Sequence, residues 1–355
     1  MSRPFVTALV DTYNHESFIE EAINSILQQD FPASEMEILV VDDGSTDRTP
    51  ELVRKFGPRI RFLRKVNGGQ ASAFNAGIIE AQGEIVAFLD GDDWWASNKV
   101  KQVAEVFASN PEVGITGHSI KEILIDGRRR IERLREDTRF QANSNEGARI
   151  FRTRKNFLGT SRMTIRTELL RSILPVPVSL VIQADEYLFT MAAVLSQVLV
   201  LAEPLTFYRH HRSNLFQISA HDPVKLRRKL DVFQALSKVL SEQLQLQKIE
   251  PSVRKKIVGA IELESTQLRL ILDGGYPWET VYAELKTMFV LHHDTSFWQH
   301  LFTCLRLVPG IVMPPRMYYR YKQRLSRLAF YQTLRRKFLP FPVPGHVDRQ
   351  EKRAP

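Results

Sequence analysis

The chain has 355 residues, 43% hydrophobic and 25% charged, a balance that suits one large or two smaller folded domains and excludes a disordered or collagen-like chain. Cys304 is the only cysteine, which excludes an intramolecular disulfide and agrees with a reducing compartment. The net charge of +9 is local: from Cys304 to Pro355 twelve Arg and Lys face only Asp348 and Glu351, so the rest of the chain is nearly neutral.

The first elements alternate between strand and helix patterns. Val6 to Val10 reads as a short apolar strand ending at Asp11-Thr12-Tyr13-Asn14. Phe18, Ile19, Ala22, Ile23, Ile26 and Leu27 then recur at helical spacing. A second strand, Glu37 to Val41, runs into Asp42-Asp43-Gly44-Ser45, and Ser45 or Asp47 is placed to cap the helix toward Phe56. Arg61 to Lys65 is a third strand, after which Asn67-Gly68-Gly69 turns the chain into a helix ending near Ala81. The fourth strand, Ile85 to Leu89, stops at Asp90-Gly91-Asp92-Asp93.

Strands joined by helical crossovers predict a mostly parallel sheet with helices on both faces. Ligands of such sheets bind outside the carboxyl ends of the strands. Three of those ends here are acidic, so the fold logic aims Asp11-Thr12, Asp42-Asp43 and Asp90 to Asp93 at one crevice. Carboxylates this close repel each other, and a hard divalent ion shared with substrate phosphates is the simplest neutraliser. The competing reading is an acidic turn that caps the next helix.

Farther on, Asp126-Gly127 is a hairpin turn between Lys121–Ile125 and Arg128–Ile131. Thr160 to Arg166 reads as a strand, Asp185 opens an apolar helix to about Leu195, and Val198–Leu201 and Leu205–Arg209 read as two short strands. From about Ala220 the chain is helical, with leucine-rich periodicity over 224–246 and 253–272. Met1 to Thr7 does not have the pattern of a signal peptide, and the apolar stretch Leu188 to Ala202 is too short for a bilayer crossing.

Six segments in order, VDTYNHESFIEEAINSILQQ, VVDDGSTDRT, NGGQASAFNAGI, GEIVAFLDGDDWW, ADEYLF and YRHHRSN, resemble the family-2 glycosyltransferases of the GT-A fold, the inverting type of bacterial cell-surface polysaccharide assembly. The resemblance covers roughly Phe5 to Asn214. It implies a nucleotide-sugar-binding catalytic domain over 1–216 and a helical, basic region over 217–355. It also implies that Asp43 reads the nucleotide base, that Thr12, Asn67 and Gly69 line the donor site, and that Asp90 and Asp92 form the family's D-x-D signature. Asp92, Asp93 and His211 are the implied ligands of Mn2+ or Mg2+, and Arg209 the implied phosphate contact. Asp185 aligns with the catalytic aspartate that deprotonates the acceptor hydroxyl; as plain sequence it is equally a helix N-cap, and Glu186 is the fallback. The chain departs from the family at Phe74, where relatives often carry Arg, and at Ala184, where they carry Glu. Trp94 and Trp95 read as packing residues, with sugar stacking as the sharper alternative. His210 and His211 together invite a zinc reading, but no Cys or HExxH partner accompanies them.

The implied activity is hexosyl transfer from a nucleotide diphosphate donor, a UDP-sugar above all, to a hydroxyl of a glycan or lipid-linked acceptor, at the cytoplasmic face of the membrane. In the tail, Met317, Tyr321, Leu325 and Leu328 form one helical stripe and Arg316, Arg320, Arg324 and Arg327 its neighbour, with Tyr318, Tyr319, Phe330 and Tyr331 adding aromatics. A basic aromatic helix suits an anionic membrane; packing on the rest of the protein and nucleic-acid binding are the alternatives, nucleic acid the least favoured. A nucleotidyltransferase, or a non-catalytic membrane or nucleic-acid binding module, remains as a different class of function. The first lacks a glycine-rich Lys- or Arg-bearing phosphate loop after the first strand, and the second leaves the aspartates unexplained.

Overall fold

The computed structural model describes residues 5–132, 134–211, 223–291, 297–326, 328 and 331. Arg212-Ser213-Asn214, Arg327, Phe330 and the basic residues beyond Tyr331 lie outside the described residues. The chain divides into two compact units, one of residues 1–215 with 344–355 and one of residues 216–343.

In chain order the first unit contains β1 (Val6–Thr12), α1 (Ile19–Leu27), β2 (Met36–Asp42), α2 (Thr49–Arg54), β3 (Arg61–Arg64), α3 (Gln70–Glu80), β4 (Ile85–Asp90), β5 (Trp94–Trp95), α4 (Lys99–Ser109), β6 (Val113–Ile123), β7 (Arg129–Glu132), β8 (Thr138–Phe140), α5 (Asn145–Arg154), β9 (Thr164–Arg166), α6 (Thr167–Ile173), α7 (Ala184–Leu195) and β10 (Gln197–Arg209). They build one sheet in the order β3-β2-β1-β4-β9-β6-β10-β5, with β7 on β6 and β8 on β10. β1, β2, β3, β4, β6 and β10 run the same way, and β9 is an antiparallel insertion between β4 and β6.

Helices on both faces explain why the central strands are continuous apolar runs. Val6, Ala8 and Val10 of β1, with Ile85, Ala87 and Leu89 of β4, pack against Ile19, Ile23 and Ile26 of α1, Leu52 and Val53 of α2, and Val100 and Phe107 of α4. The alternate positions face α3: a Cβ on Gly77 would lie 2.4 Å from Leu9 and 3.1 Å from Val41. The mostly parallel α/β architecture expected from the alternation of patterns is the one observed.

Two local expectations are corrected. Thr160 to Arg166 is not one strand: Thr160–Arg162 is a 3-10 turn, and only Thr164–Arg166 pairs. The two short strands after α7 are one strand, β10, whose register against β6 shifts on either side of Pro204. Proline lacks the N–H that a ladder needs, so the strand bulges there and continues. Neither Ser45 nor Asp47 is the N-cap of α2, which is Arg48; Asp47, just before it, accepts the Thr49 N–H through Oδ1 at 2.9 Å.

The second unit is helical: α8 (Pro223–Leu246), α9 (Pro251–Asp273), α10 (Pro277–Leu291), α11 (Phe297–Val312) and α12 (Pro315–Ser326). Leu230, Phe233, Leu236, Leu240 and Leu244 of α8, and Val253, Ile257 and Ile261 of α9, are buried at helical spacing. A second cluster joins Leu263 and Leu270 of α9, Ala283 of α10, Leu307 of α11, and Tyr318 and Tyr319 of α12. No helix among the described residues is long and apolar enough to cross a membrane.

Candidate active site

The register of β1 sets the centre of the site. Parallel pairing places Thr12 beside Asp42 and Asp11 beside Asp90, so three strand ends deliver their acidic residues to the same edge. Each strand stops there because the backbone passes into turns: the Asp43 N–H bonds Thr12 O at 2.9 Å and the Gly91 N–H bonds Asp11 O at 3.0 Å. Gly91 has no room for a side chain, since a Cβ would lie 2.7 Å from both Thr12 Oγ1 and His15 Nδ1.

Asp90, Asp92 and Asp93 each present an oxygen within 4.8 Å of the others. Burial, then the charges of Asp11 and Asp92, push the Asp90 carboxyl well above the ordinary range. Asp11 is pushed up by burial and by Asp92 and Asp185, and Asp93 by burial and Asp92. Asp92 differs: burial opposes its ionisation, but His211 and His15 outweigh that and hold it low. His211 Nε2 lies 2.8 Å from Asp92 Oδ2, and His15 Nε2 lies 3.8 Å from the same oxygen. Asp11 Oδ1 and Asp93 Oδ2 are buried and accept no hydrogen bond among the described residues. Buried carboxylate oxygens left without a donor are costly, and a divalent cation with an all-oxygen and imidazole donor set fits them.

Asp185 is the second residue of α7, not its cap; Gln183, in the left-handed region at φ 60°, precedes the helix. Asp185 Oδ2 accepts the backbone N–H and the hydroxyl of Thr160, each at 3.2 Å, and Oδ1 accepts the Glu186 N–H at 2.9 Å. Burial and the Glu186 charge raise its pKa. Its charge adds to the raised values of Asp11 and Asp90, although it lies about a hundred residues away. Glu186 is instead ion-paired with Lys155 at 2.7 Å.

The 3-10 turn at 160–162 links these two groups of carboxylates. Next to Thr160, the Ser161 hydroxyl donates to Asp90 Oδ2 at 3.3 Å and accepts the Asp90 N–H at 3.1 Å. The Ser161 carbonyl accepts from Thr206 Oγ1 at 2.7 Å and from the buried Lys99 Nζ at 3.4 Å. Gln70 adds a brace at the start of α3, donating to Thr160 Oγ1 at 3.2 Å and accepting the Ala184 N–H at 3.0 Å.

Asp43 stands at the other end of the crevice. Its carboxylate accepts Lys65 Nζ at 2.6 Å, Gly68 N at 3.0 Å and Gly69 N at 2.7 Å. Gly69 has φ 81°, and a Cβ there would lie 2.7 Å from the Val181 backbone, so only glycine lets this amide reach Asp43. Asn67 is exposed at the rim. Arg209 ends β10 with its N–H on Asp93 Oδ1 at 2.9 Å and its Nε on Asp92 O at 3.1 Å, and its guanidinium pairs with Glu21. That guanidinium lies 4.4 Å from the Trp94 ring centroid, and Trp94 stacks parallel on Phe207 at 5.0 Å. Trp94 is thus a packing residue, as is the buried Trp95.

The profile of glycosyl transferase family 2 matches residues 7–173, the stretch that carries all the strand-end aspartates. Residues 7–173 belong to that family. The chain is 34% identical to a glycosyltransferase of Nostoc sp. over 218 residues, 59% of this chain and 66% of the relative. It is 38% identical over 102 residues to the poly(ribitol-phosphate) beta-N-acetylglucosaminyltransferase of Staphylococcus aureus, 28% of this chain and 18% of that enzyme. The chain therefore spans less than two thirds of the length of these relatives. Among solved structures, S. aureus TarS 1–349 with UDP aligns at a TM-score of 0.50 with 21% identity, covering 81% of this chain and 89% of that one. A mannosyltransferase of Pyrobaculum calidifontis with GDP-Man and Mn2+ aligns at 0.50 with 21% identity, covering 94% and 84%. Both are likenesses of the GT-A fold.

Sequence reasoning did not single out His15, Lys65 or Gln70 for the candidate site. His15 and Gln70 lie inside the quoted motifs, which is a usable signal. Lys65 has none beyond ending a strand; for Thr160 and Ser161 the resemblance offers a place in the acceptor pocket, but the plain strand pattern is the safer sequence reading.

Proposed function

We propose that the chain is an inverting glycosyltransferase that moves a sugar from a nucleotide diphosphate donor, a UDP-sugar, to a hydroxyl acceptor in glycan or glycolipid assembly. The observation that supports this most is the single crevice shared by Asp185 and the Asp90, Asp92 and Asp93 cluster, with Asp43 at its far end. The UDP donor draws support from the UDP and UDP-GlcNAc complexes of the structural relative.

Asp43 holds the base: its carboxylate has about four acceptor positions, three donors already orient it, and a ring N–H takes the remainder. Thr12, Asn67 and Gly69 line the same pocket, and Arg209 faces the diphosphate. Asp92, Asp93 and His211 would hold Mn2+ or Mg2+, with Asp90 directed at the ribose. A bound divalent ion supplies charge neutralisation for the leaving diphosphate. Asp185 accepts the acceptor's proton as its oxygen attacks the anomeric carbon. The bond from that carbon to the diphosphate oxygen breaks in the same displacement, and the diphosphate leaves with the electron pair. One attack from the opposite side inverts the centre. The basic C-terminal helices hold the enzyme at an anionic membrane face, where a lipid-linked acceptor lies.

The test is thermal shift with UDP, GDP and their sugars, with Mn2+, Mg2+ or EDTA, because a ligand that binds the native state raises its melting temperature. The reading expects cation-dependent stabilisation by a UDP-sugar. No shift with any nucleotide would end it.

A further inference from the structure

The helical unit leaves an apolar face open that the arginine pattern of α12 does not reveal. On α11, Leu301, Leu305, Val308, Ile311 and Val312 are exposed, Leu305 and Ile311 to 61% and Val312 to 77%. Their spacing of three and four puts them on one side of the helix, while Leu307 and Gly310 face the interior. An open stripe of five apolar side chains is unusual for a protein surface.

One further observation says what covers this face, and it is charge. Residues 297–326 contain Arg306, Arg316, Arg320, Lys322 and Arg324 and no Asp or Glu. Nearby acids are consumed internally: Glu284 pairs with Lys322 at 2.5 Å and Glu279 with Arg269 at 3.2 Å. Arg320 and Arg324 are exposed and make no ion pair among the described residues.

We infer that the α11 stripe inserts into the interfacial layer of an anionic lipid bilayer while Arg320 and Arg324 contact its headgroups. A second copy of this chain is a poorer occupant, because two such faces would bring like charges together, whereas anionic headgroups complement them. At 16 residues the helix lies along the surface rather than across it. This rests on the reading of the basic helices as a membrane contact and moves the inserting face from α12 to α11.

The test is flotation of the full chain with phosphatidylcholine vesicles, with and without phosphatidylglycerol, at low and high salt. Wild type should float with the phosphatidylglycerol vesicles. Leu305→Glu/Val308→Glu/Ile311→Glu should lose that association by at least about tenfold, each exposed methylene pair contributing to insertion. Arg320→Glu/Arg324→Glu should lose the preference for phosphatidylglycerol. All the substituted side chains are exposed, and circular dichroism and unfolding checks the fold. Binding of the triple variant equal to wild type, or no flotation of wild type, overturns the inference. So does sedimentation showing a wild-type dimer that the triple variant abolishes. Nucleotide-sugar turnover in detergent-free buffer is read in parallel, so a failure of the transferase reading is seen separately from a failure of flotation.

Discussion

Thr160 gives both its backbone N–H and its hydroxyl to the same oxygen of Asp185, at 3.2 Å each. Its neighbour Ser161 meanwhile holds Asp90 through its own hydroxyl. Two consecutive residues of one tight turn therefore set the position of the proposed base relative to the carboxylates of the proposed donor site. A proton acceptor contributes to catalysis only when its geometry is held before the reaction begins.

If Asp185 takes the acceptor proton, Asp185→Asn should lower kcat by about 10²- to 10⁴-fold. Donor binding, read by thermal shift, should change little, because the substitution preserves shape and removes only the base. Equal loss of donor binding and turnover would assign Asp185 to the donor instead.

The pH profile carries a sign. Burial and the Glu186 charge raise the Asp185 pKa above the ordinary 3.8, so kcat/KM should fall as pH drops through that raised value. The Thr160 bonds favour the charged form. Thr160→Val should therefore move the acid limb to higher pH, a shift that a purely structural defect would not produce.

Ser161→Ala removes a contact that orients Asp90 without touching substrate. Outer contacts of this kind typically matter by about tenfold or more in metal affinity or activity. Titration of the variant with a UDP-sugar in Mn2+ should show weaker donor binding with the unfolding midpoint nearly unchanged. Unaltered donor affinity and turnover would remove Ser161 from the site.

The crowded carboxylates should also show in stability. Asp11, Asp90 and Asp93 have raised values in the folded state, so the folded protein binds more protons than the unfolded chain. Their contribution is fully present below the unfolded value near 3.8 and is lost as pH rises through the raised values. In EDTA, urea unfolding should show this loss with increasing pH, and Mn2+ should restore stability most at the higher pH.

Lys99 is buried, its Nζ 3.7 Å from the Trp95 ring centroid with only a 3.4 Å bond to the Ser161 carbonyl. Burial pushes its pKa well down. Because Thr206 also serves that carbonyl, Lys99→Met should stabilise the protein by about 1 kcal/mol, read from the urea midpoint. Destabilisation would show that the ammonium is needed beneath the site.

Much of this protein is local and could be read from the chain alone. Val6 to Val10, Glu37 to Val41 and Ile85 to Leu89 are apolar runs between helical patterns, and strands covered on both faces must be written that way. The acidic residues at their ends follow from the chain direction in a parallel sheet, so their convergence was legible before any coordinates. What only the tertiary structure decided depends on contacts distant in sequence. The insertion of β9 between β4 and β6, the continuity of β10 through Pro204, and the turn that binds Thr160 to Asp185 leave no periodic trace. His15 reaches Asp92, and Lys65 reaches Asp43, only because parallel strands and their loops bring them there. The open face of α11 was hidden for the same reason: hydrophobic spacing shows that a helix has an apolar side, but which sides find partners is settled only when the helices pack.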